Sequence, residues 1–143
     1  MKDIAMFELT EEQKLIKQNI HKFAGKELAP KASYWDDQGE FPWESLRKMS
    51  EVGLTGLRMP SLYGGSETDL ISTGIAFEEV ARFDHSCAII LCGCNITGRL
   101  LVHAVQGIRE TCLPDIVNGK STNAVQNQAA SGANKAHPVT RAR

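Results

Sequence analysis

Four cysteines and four histidines are the side chains best equipped for metal or nucleophilic chemistry, and their spacing argues against both. Cys87, Cys92, Cys94 and Cys112 gather in one apolar region without a Cys-x-x-Cys pair. Together with His85 and His103 they match no common zinc-ligand spacing, so no metal is expected. Buried thiols in a reducing compartment fit better than a disulfide framework. His21, His85, His103 and His137 stand beside no recognisable nucleophile. Glu78 and Glu79 could offer a general base, but neighbouring helical residues point about 100° apart and form no dyad, so a solvated face is the expected role. No Gly-x-Gly-x-x-Gly, phosphate loop or nucleophile elbow occurs, and Tyr63-Gly64-Gly65 is too short to cradle a phosphate.

A strip of small residues is the sharper signal. Gly93 and Gly98 stand inside a long apolar helical pattern, where each costs about 1 kcal/mol relative to alanine. At about 100° per residue Gly93, Thr97, Ile90, Leu101, Cys94 and Gly98 share one arc. Such an arc suits either a closely packed neighbour or an apolar ligand lying against the helix backbone. Asn95 and Arg99 fall off the arc and are expected to be partly exposed.

The elements that position this strip are helices. Thr10 and Gln13 have capping-box spacing, and Leu15, Ile16, Ile20, Phe23 and Ala24 form one face of a helix running to about Lys26, where Pro30 is expected to end or bend it. Lys31 to Gln38 reads as a short helical turn carrying Trp35 and stopped at Gly39. Pro42 to Val52 is the next helix, with Leu46, Met49 and Val52 inward and Gly53 as its left-handed stop. The stretch from Gly53 to Gly65 is too punctuated to be helical: Gly53 and Gly56 are free to take positive φ, Pro60 removes a donor, and Gly64-Gly65 makes a second break. Leu54, Leu57, Met59 and Leu62 keep it apolar, which predicts a connector pinned to the core rather than a linker.

Thr68-Asp69 caps a third main helix to about Phe83, with Leu70, Ile71, Ile75, Ala76, Phe77 and Val80 as a broad buried face. Ser86 or Asp84 caps the apolar helix that reaches about Ala104 and is expected to be the most buried element. Gly107 ends it, and Ile108 to Val117 forms a last helix despite Pro114. Residues 1–120 thus read as one all-α helical bundle, and Ser121 to Arg143, nearly free of large apolar residues, as an irregular or disordered tail.

The bulk numbers narrow the class. At 143 residues, 42% hydrophobic and 23% charged, the chain is sized for one ordinary soluble domain. A net charge of -1 gives no case for nucleic acid. No secretory signal opens the chain, and the longest apolar run, Cys87 to Cys94, is far below the roughly 20 residues of a membrane span, so a cytoplasmic protein is expected.

A collinear set of short motifs carries more information than any one of them. Leu9-Thr10-Glu11-Glu12-Gln13, Phe23-Ala24, Glu27-Leu28-Ala29-Pro30, Trp35-Asp36, Gly39-Glu40-Phe41-Pro42, Gly53-Leu54-Thr55-Gly56-Leu57, Pro60, Tyr63-Gly64-Gly65 and Glu78-Glu79-Val80-Ala81-Arg82 together resemble the N-terminal helical domain of the acyl-CoA dehydrogenases. The likeness extends through Ile108-Arg109-Glu110, Leu113-Pro114 and Asn118-Gly119-Lys120. It implies a flavoenzyme that oxidises an acyl-CoA to the 2,3-enoyl-CoA: a carboxylate takes the α-proton, FAD takes the β-hydride, and an electron-transfer flavoprotein receives the electrons. In that family the base and most FAD contacts lie in middle β and C-terminal domains, so this chain is expected to hold no catalytic residue, to keep no cofactor and to be silent alone. By the same resemblance Gly93, Cys94 and Thr97 belong to the wall of the acyl-chain cavity. The likeness fades at about Ser121, where Ser131-Gly132-Ala133-Asn134 stands in place of a Thr-Glu-Pro-like turn and suggests a remnant of the middle domain. The competing expectation is a stand-alone helical module that binds a partner or self-associates through exposed apolar surface.

Overall fold

The first helix begins where its capping residues place it. In a computed structural model, which describes residues 8–122, the Gln13 N–H donates to the Thr10 hydroxyl at 3.2 Å and the Thr10 N–H donates to the Gln13 amide oxygen at 3.0 Å. This reciprocal box satisfies two donors that a helix start leaves free. Helix α1 then runs Glu11–Phe23. Ile20 and Phe23 pack on the core, whereas Leu15 is exposed.

Pro30 does not end the element. Ala24–Leu28 forms a π-helical turn, and α2 follows at once as Ala29–Gln38. Proline lacks an N–H and its ring crowds the carbonyl four residues back; the wider π turn gives it room, and in the first turn of α2 no backbone donor is required of it. Gly39, at φ 64°, closes α2. Helix α3, Trp43–Glu51, stops before Gly53 at φ 77°. Leu46 and Met49 are fully buried, but Val52 is exposed because the helix has already ended there.

The connector is pinned, as its apolar residues predict. Leu54–Gly56 and Ser61–Tyr63 are single 3-10 turns, and Leu54, Thr55, Gly56 and Met59 are buried while Leu62 points outward. The Thr55 hydroxyl donates to the Val117 carbonyl at 2.7 Å, and the N–H groups of Ser66, Glu67 and Thr68 return to the carbonyls of Gly56, Met59 and Leu57. Gly56 is required for space, not for positive φ: an added Cβ would lie 3.2 Å from Val117 and 3.3 Å from the Gly65 Cα.

Helix α4 is Leu70–Ala81, capped by Asp69, which accepts from the Ile71 and Ser72 N–H groups at 2.8 and 3.0 Å. Ile75, Ala76 and Val80 are buried, but Leu70 and Ile71, expected on the same face, are 73% and 60% exposed. Helix α5, His85–Leu101, is capped by Asp84, whose carboxylate accepts from the Cys87 N–H at 2.9 Å. Helix α6, Gln106–Val117, contains both Gly107 and Pro114, so the break before it lies at Val102–Val105 instead of at Gly107. Leu113, Ile116 and Val117 bury its inner face.

Helix α1 packs on α4, α4 on α5, and α5 on α3 and α6. The all-α fold expected from the sequence is the fold observed, with no strand among the described residues. Apart from Ser121 and Thr122, the expected tail lies outside the described residues.

Candidate functional site

Helix α5 divides lengthwise into a packed face and an open one. Cys87, Leu91, Cys94, Asn95 and Gly98 are buried. Ile89, Ile96 and Leu100 are 73%, 52% and 57% exposed and, with half-buried Gly93, fall within an arc of about 60°. The helix expected to be the most buried element therefore carries an open apolar stripe. Its cause is local: among the described residues no element covers Ile89, Ile96 or Leu100, and α4 reaches only the edge of the stripe at Leu70 and Phe77.

The small-residue arc is split by this division. Gly93 and Thr97 lie along the edge of the open stripe, both half-buried, while Cys94 and Gly98 belong to the core. Gly98 lets α5 come close to the connector: a Cβ there would sit 2.0 Å from Met59 Cε. Burial raises the Cys94 thiol, and Cys87 is pushed up to about 12, chiefly by burial and then by the Asp84 carboxylate. Both are thiols rather than thiolates at neutral pH, which removes them as nucleophiles. Among the described residues no three of His, Cys, Asp and Glu group as metal ligands.

Asn95, expected to be partly exposed, is 1% exposed. Its amide nitrogen donates to the carbonyls of Leu54 at 2.9 Å and Leu91 at 3.0 Å, and its oxygen accepts from the Arg58 N–H at 3.0 Å. One side chain thus ties α5 to both ends of the connector's inner turn, fixing the height of the open stripe against the rest of the bundle. Beside it a largely apolar groove of about 280 Å³ runs between α4 and α5, lined by Leu70, Phe77, Ile96 and Leu100 with Arg58 and Arg99. Sequence periodicity could not find Asn95, because a lone polar residue at the edge of an apolar face is assigned to water by pattern alone.

A second polar cluster joins α1 to α4. Glu79, expected on a solvated face, has a side chain that is 1% exposed. His21 Nδ1 lies 2.8 Å from Glu79 Oε2, and Arg82 Nε and Lys17 Nζ lie 3.2 and 3.6 Å from Oε1. Burial pushes the Glu79 carboxyl up, but the His21 hydrogen bond and the charges of Arg82 and Lys17 outweigh it and hold the group below its ordinary value. His21 also sets its ring edge against Phe83, with centroids 4.9 Å apart. Glu78 keeps the exposed position expected of it and pairs with Arg82.

Comparison with known proteins bears on the open stripe. A family model described as the acyl-CoA dehydrogenase N-terminal domain matches residues 10–120. The probable acyl-CoA dehydrogenase YngJ of Bacillus subtilis is 47% identical over 76 residues, which is 53% of this chain and 20% of that protein. The probable acyl-CoA dehydrogenase fadE25 of Mycobacterium bovis is 30% identical over 140 residues, 96% of this chain and 36% of the relative. The structure of butyryl-CoA dehydrogenase from Megasphaera elsdenii superposes with a TM-score of 0.75 at 27% identity, over 91% of this chain and 35% of that one. The chain therefore spans between 20% and 36% of the length of these relatives.

Proposed function

Because the chain belongs to the acyl-CoA dehydrogenase family, matching its N-terminal domain over residues 10–120, we propose that it supplies one wall of the acyl-chain cavity in an FAD-dependent, cytoplasmic oxidation of an acyl-CoA to the 2,3-enoyl-CoA. The observation that carries the reading is the open apolar stripe of α5. Gly93 and Thr97 would touch the acyl chain, flanked by Ile89 and Ile96, with buried Cys94 backing the wall from the core side. Each methylene removed from water against such a surface contributes about 0.8 kcal/mol. An electron-transfer flavoprotein would be the electron acceptor of the whole polypeptide.

The glycine pair of the connector offers no phosphate cradle for a flavin cofactor. Gly64 and Gly65, the adjacent glycines that a phosphate could have used, are filled from within: a Cβ on Gly65 would meet the Met59 carbonyl oxygen at 2.1 Å, and one on Gly64 would meet Val117 at 3.3 Å. The contribution proposed for this domain is accordingly shape and apolar surface, not proton or hydride transfer. A stand-alone interaction module is not favoured, since the family match covers the bundle from its first cap to its last turn.

The test is a chimera in which residues 10–120 replace the matching domain of a relative such as the Megasphaera elsdenii butyryl-CoA dehydrogenase. It should retain flavin colour and oxidise acyl-CoA. Gly93→Leu, which fills the stripe, should then lower kcat/KM for longer acyl chains roughly tenfold relative to shorter ones. An unchanged chain-length profile in a folded, flavin-loaded chimera would remove α5 from the cavity wall.

A further inference from the structure

The α1–α4 cluster lines an open surface cavity of about 360 Å³, bounded by Lys17, Gln18, His21, Lys22, Glu79 and Arg82, on a different part of the bundle from the α5 stripe. Its floor is unusual in chemistry. The two oxygens of the buried Glu79 carboxylate are not equally served. Oε2 takes the His21 contact at 2.8 Å, whereas Oε1 has no hydrogen-bond partner among the described residues. Arg82 Nε and Lys17 Nζ attract Oε1 by charge, at 3.2 and 3.6 Å, without directing an N–H at it. A buried acceptor without a directed donor is incompletely satisfied, so a ligand that brings one gains by entering.

The walls ask for the opposite kind of group. Lys17, Lys22 and Arg82 carry three positive charges, against Glu79 and the exposed Glu78 that pairs with Arg82. The side chains of Lys17, His21 and Arg82 are 42%, 56% and 51% exposed, leaving their remaining donors open to solvent. A suitable ligand must therefore be an anion toward the walls and a hydrogen-bond donor toward the floor. Carboxylates and sulfate carry no proton at neutral pH. Inorganic phosphate does carry one, because even its dianion keeps one P–OH, whereas a monoester, with a second pKa of roughly 6, has lost its last proton on most molecules at neutral pH.

We propose that this cavity is a site for free inorganic phosphate, in which Glu79 Oε1 accepts a hydrogen bond from the protonated phosphate oxygen while Lys17, Lys22 and Arg82 donate to the others. Lys17, the more distant of the two cations beside Oε1, swings aside on entry, which its half-exposed, flexible stem permits. The site is independent of the acyl-cavity reading.

The experiment is a titration of the intact chain with inorganic phosphate and, separately, with sulfate, followed by calorimetry and by the NMR signals of the His21 ring. Phosphate should bind and shift His21, and sulfate should bind at least tenfold more weakly, the cost of leaving Oε1 unpaired. Equal responses to the two anions would mean a general basic patch and overturn the proposal, as would no response to phosphate. Lys22→Ala, at an exposed position outside the Glu79 contacts, should weaken phosphate severalfold without changing the melting temperature; unaltered phosphate binding would also overturn it. Glu79→Gln offers an amide to either anion and should abolish the phosphate preference if the variant folds. O-Phosphoserine and adenosine monophosphate, largely without a P–OH at neutral pH, should bind more weakly than inorganic phosphate, and tighter binding of either would overturn the proposal.

Discussion

Replacing Gly98 with alanine sets two effects of known sign against each other. In a solvent-facing helix interior the change stabilises by about 1 kcal/mol. At Gly98 the new Cβ would stand 2.0 Å from Met59 Cε, 2.9 Å from its sulfur and 3.1 Å from its Cγ. Carbon atoms rest about 3.5–4.0 Å apart, so the Met59 methyl must retreat by roughly 1.5–2 Å. Met59 is fully buried, so its flexible end can move only by displacing packed neighbours, which puts the substitution among overpacked cores, at about 1–3 kcal/mol. The expected net result is a loss of about 0–2 kcal/mol, read from urea unfolding followed by helical circular dichroism. Gly74→Ala is the control, because a Cβ there meets nothing within 4 Å; it should stabilise the chain by about 0.5–1 kcal/mol. Met59→Ala alone should cost about 2–5 kcal/mol by opening a cavity, and combined with Gly98→Ala it should cost less than the two losses added. If Gly98→Ala stabilised the chain as much as Gly74→Ala, the claim that Gly98 exists to admit Met59 would be wrong.

Asn95→Ala removes the side-chain partners of the Arg58 N–H and the Leu54 carbonyl, and thermal unfolding should show a loss of about 2–4 kcal/mol; a loss below about 0.5 kcal/mol would mean that the connector holds its place without that clip. The Glu79 carboxyl lies below its ordinary value of 4.5 in the folded chain, so its contribution is present above that pH and is lost as pH falls through the lower folded value. Unfolding curves of the native chain and Glu79→Gln should therefore differ at neutral pH and converge on acidification; a constant gap down to acid pH would show that the ion cluster contributes nothing through its charge.

Local chemistry made the element boundaries legible. Thr10 with Gln13, Asp69, Asp84, Gly39 and Gly53 act within one helical turn of themselves, so their roles follow from residue type and spacing and hold in the folded chain. The apolar connector and the collinear motifs were readable for the same reason, and they sufficed to place the chain in its family. Pro30 shows the first limit: whether a helix breaks or widens into a π turn depends on whether the packing on both sides holds the two halves together.

Which apolar and polar positions face inward was decided by tertiary structure. Periodicity puts Leu70, Ile71, Val52 and Ile89 on apolar faces, but a face is buried only where another element arrives, and among the described residues none covers these positions. Glu79 and Asn95 show the converse. A helical pattern assigns charged and amide side chains to water, yet both are buried because partners distant in sequence reach them, His21 from α1 in one case and the connector backbone in the other. The sequence by itself determined the helices, their caps and the family; the open stripe of α5 and the charged cavity of α1 and α4 arose only when the helices met, because burial and charge pairing are properties of neighbours that one-dimensional spacing does not contain.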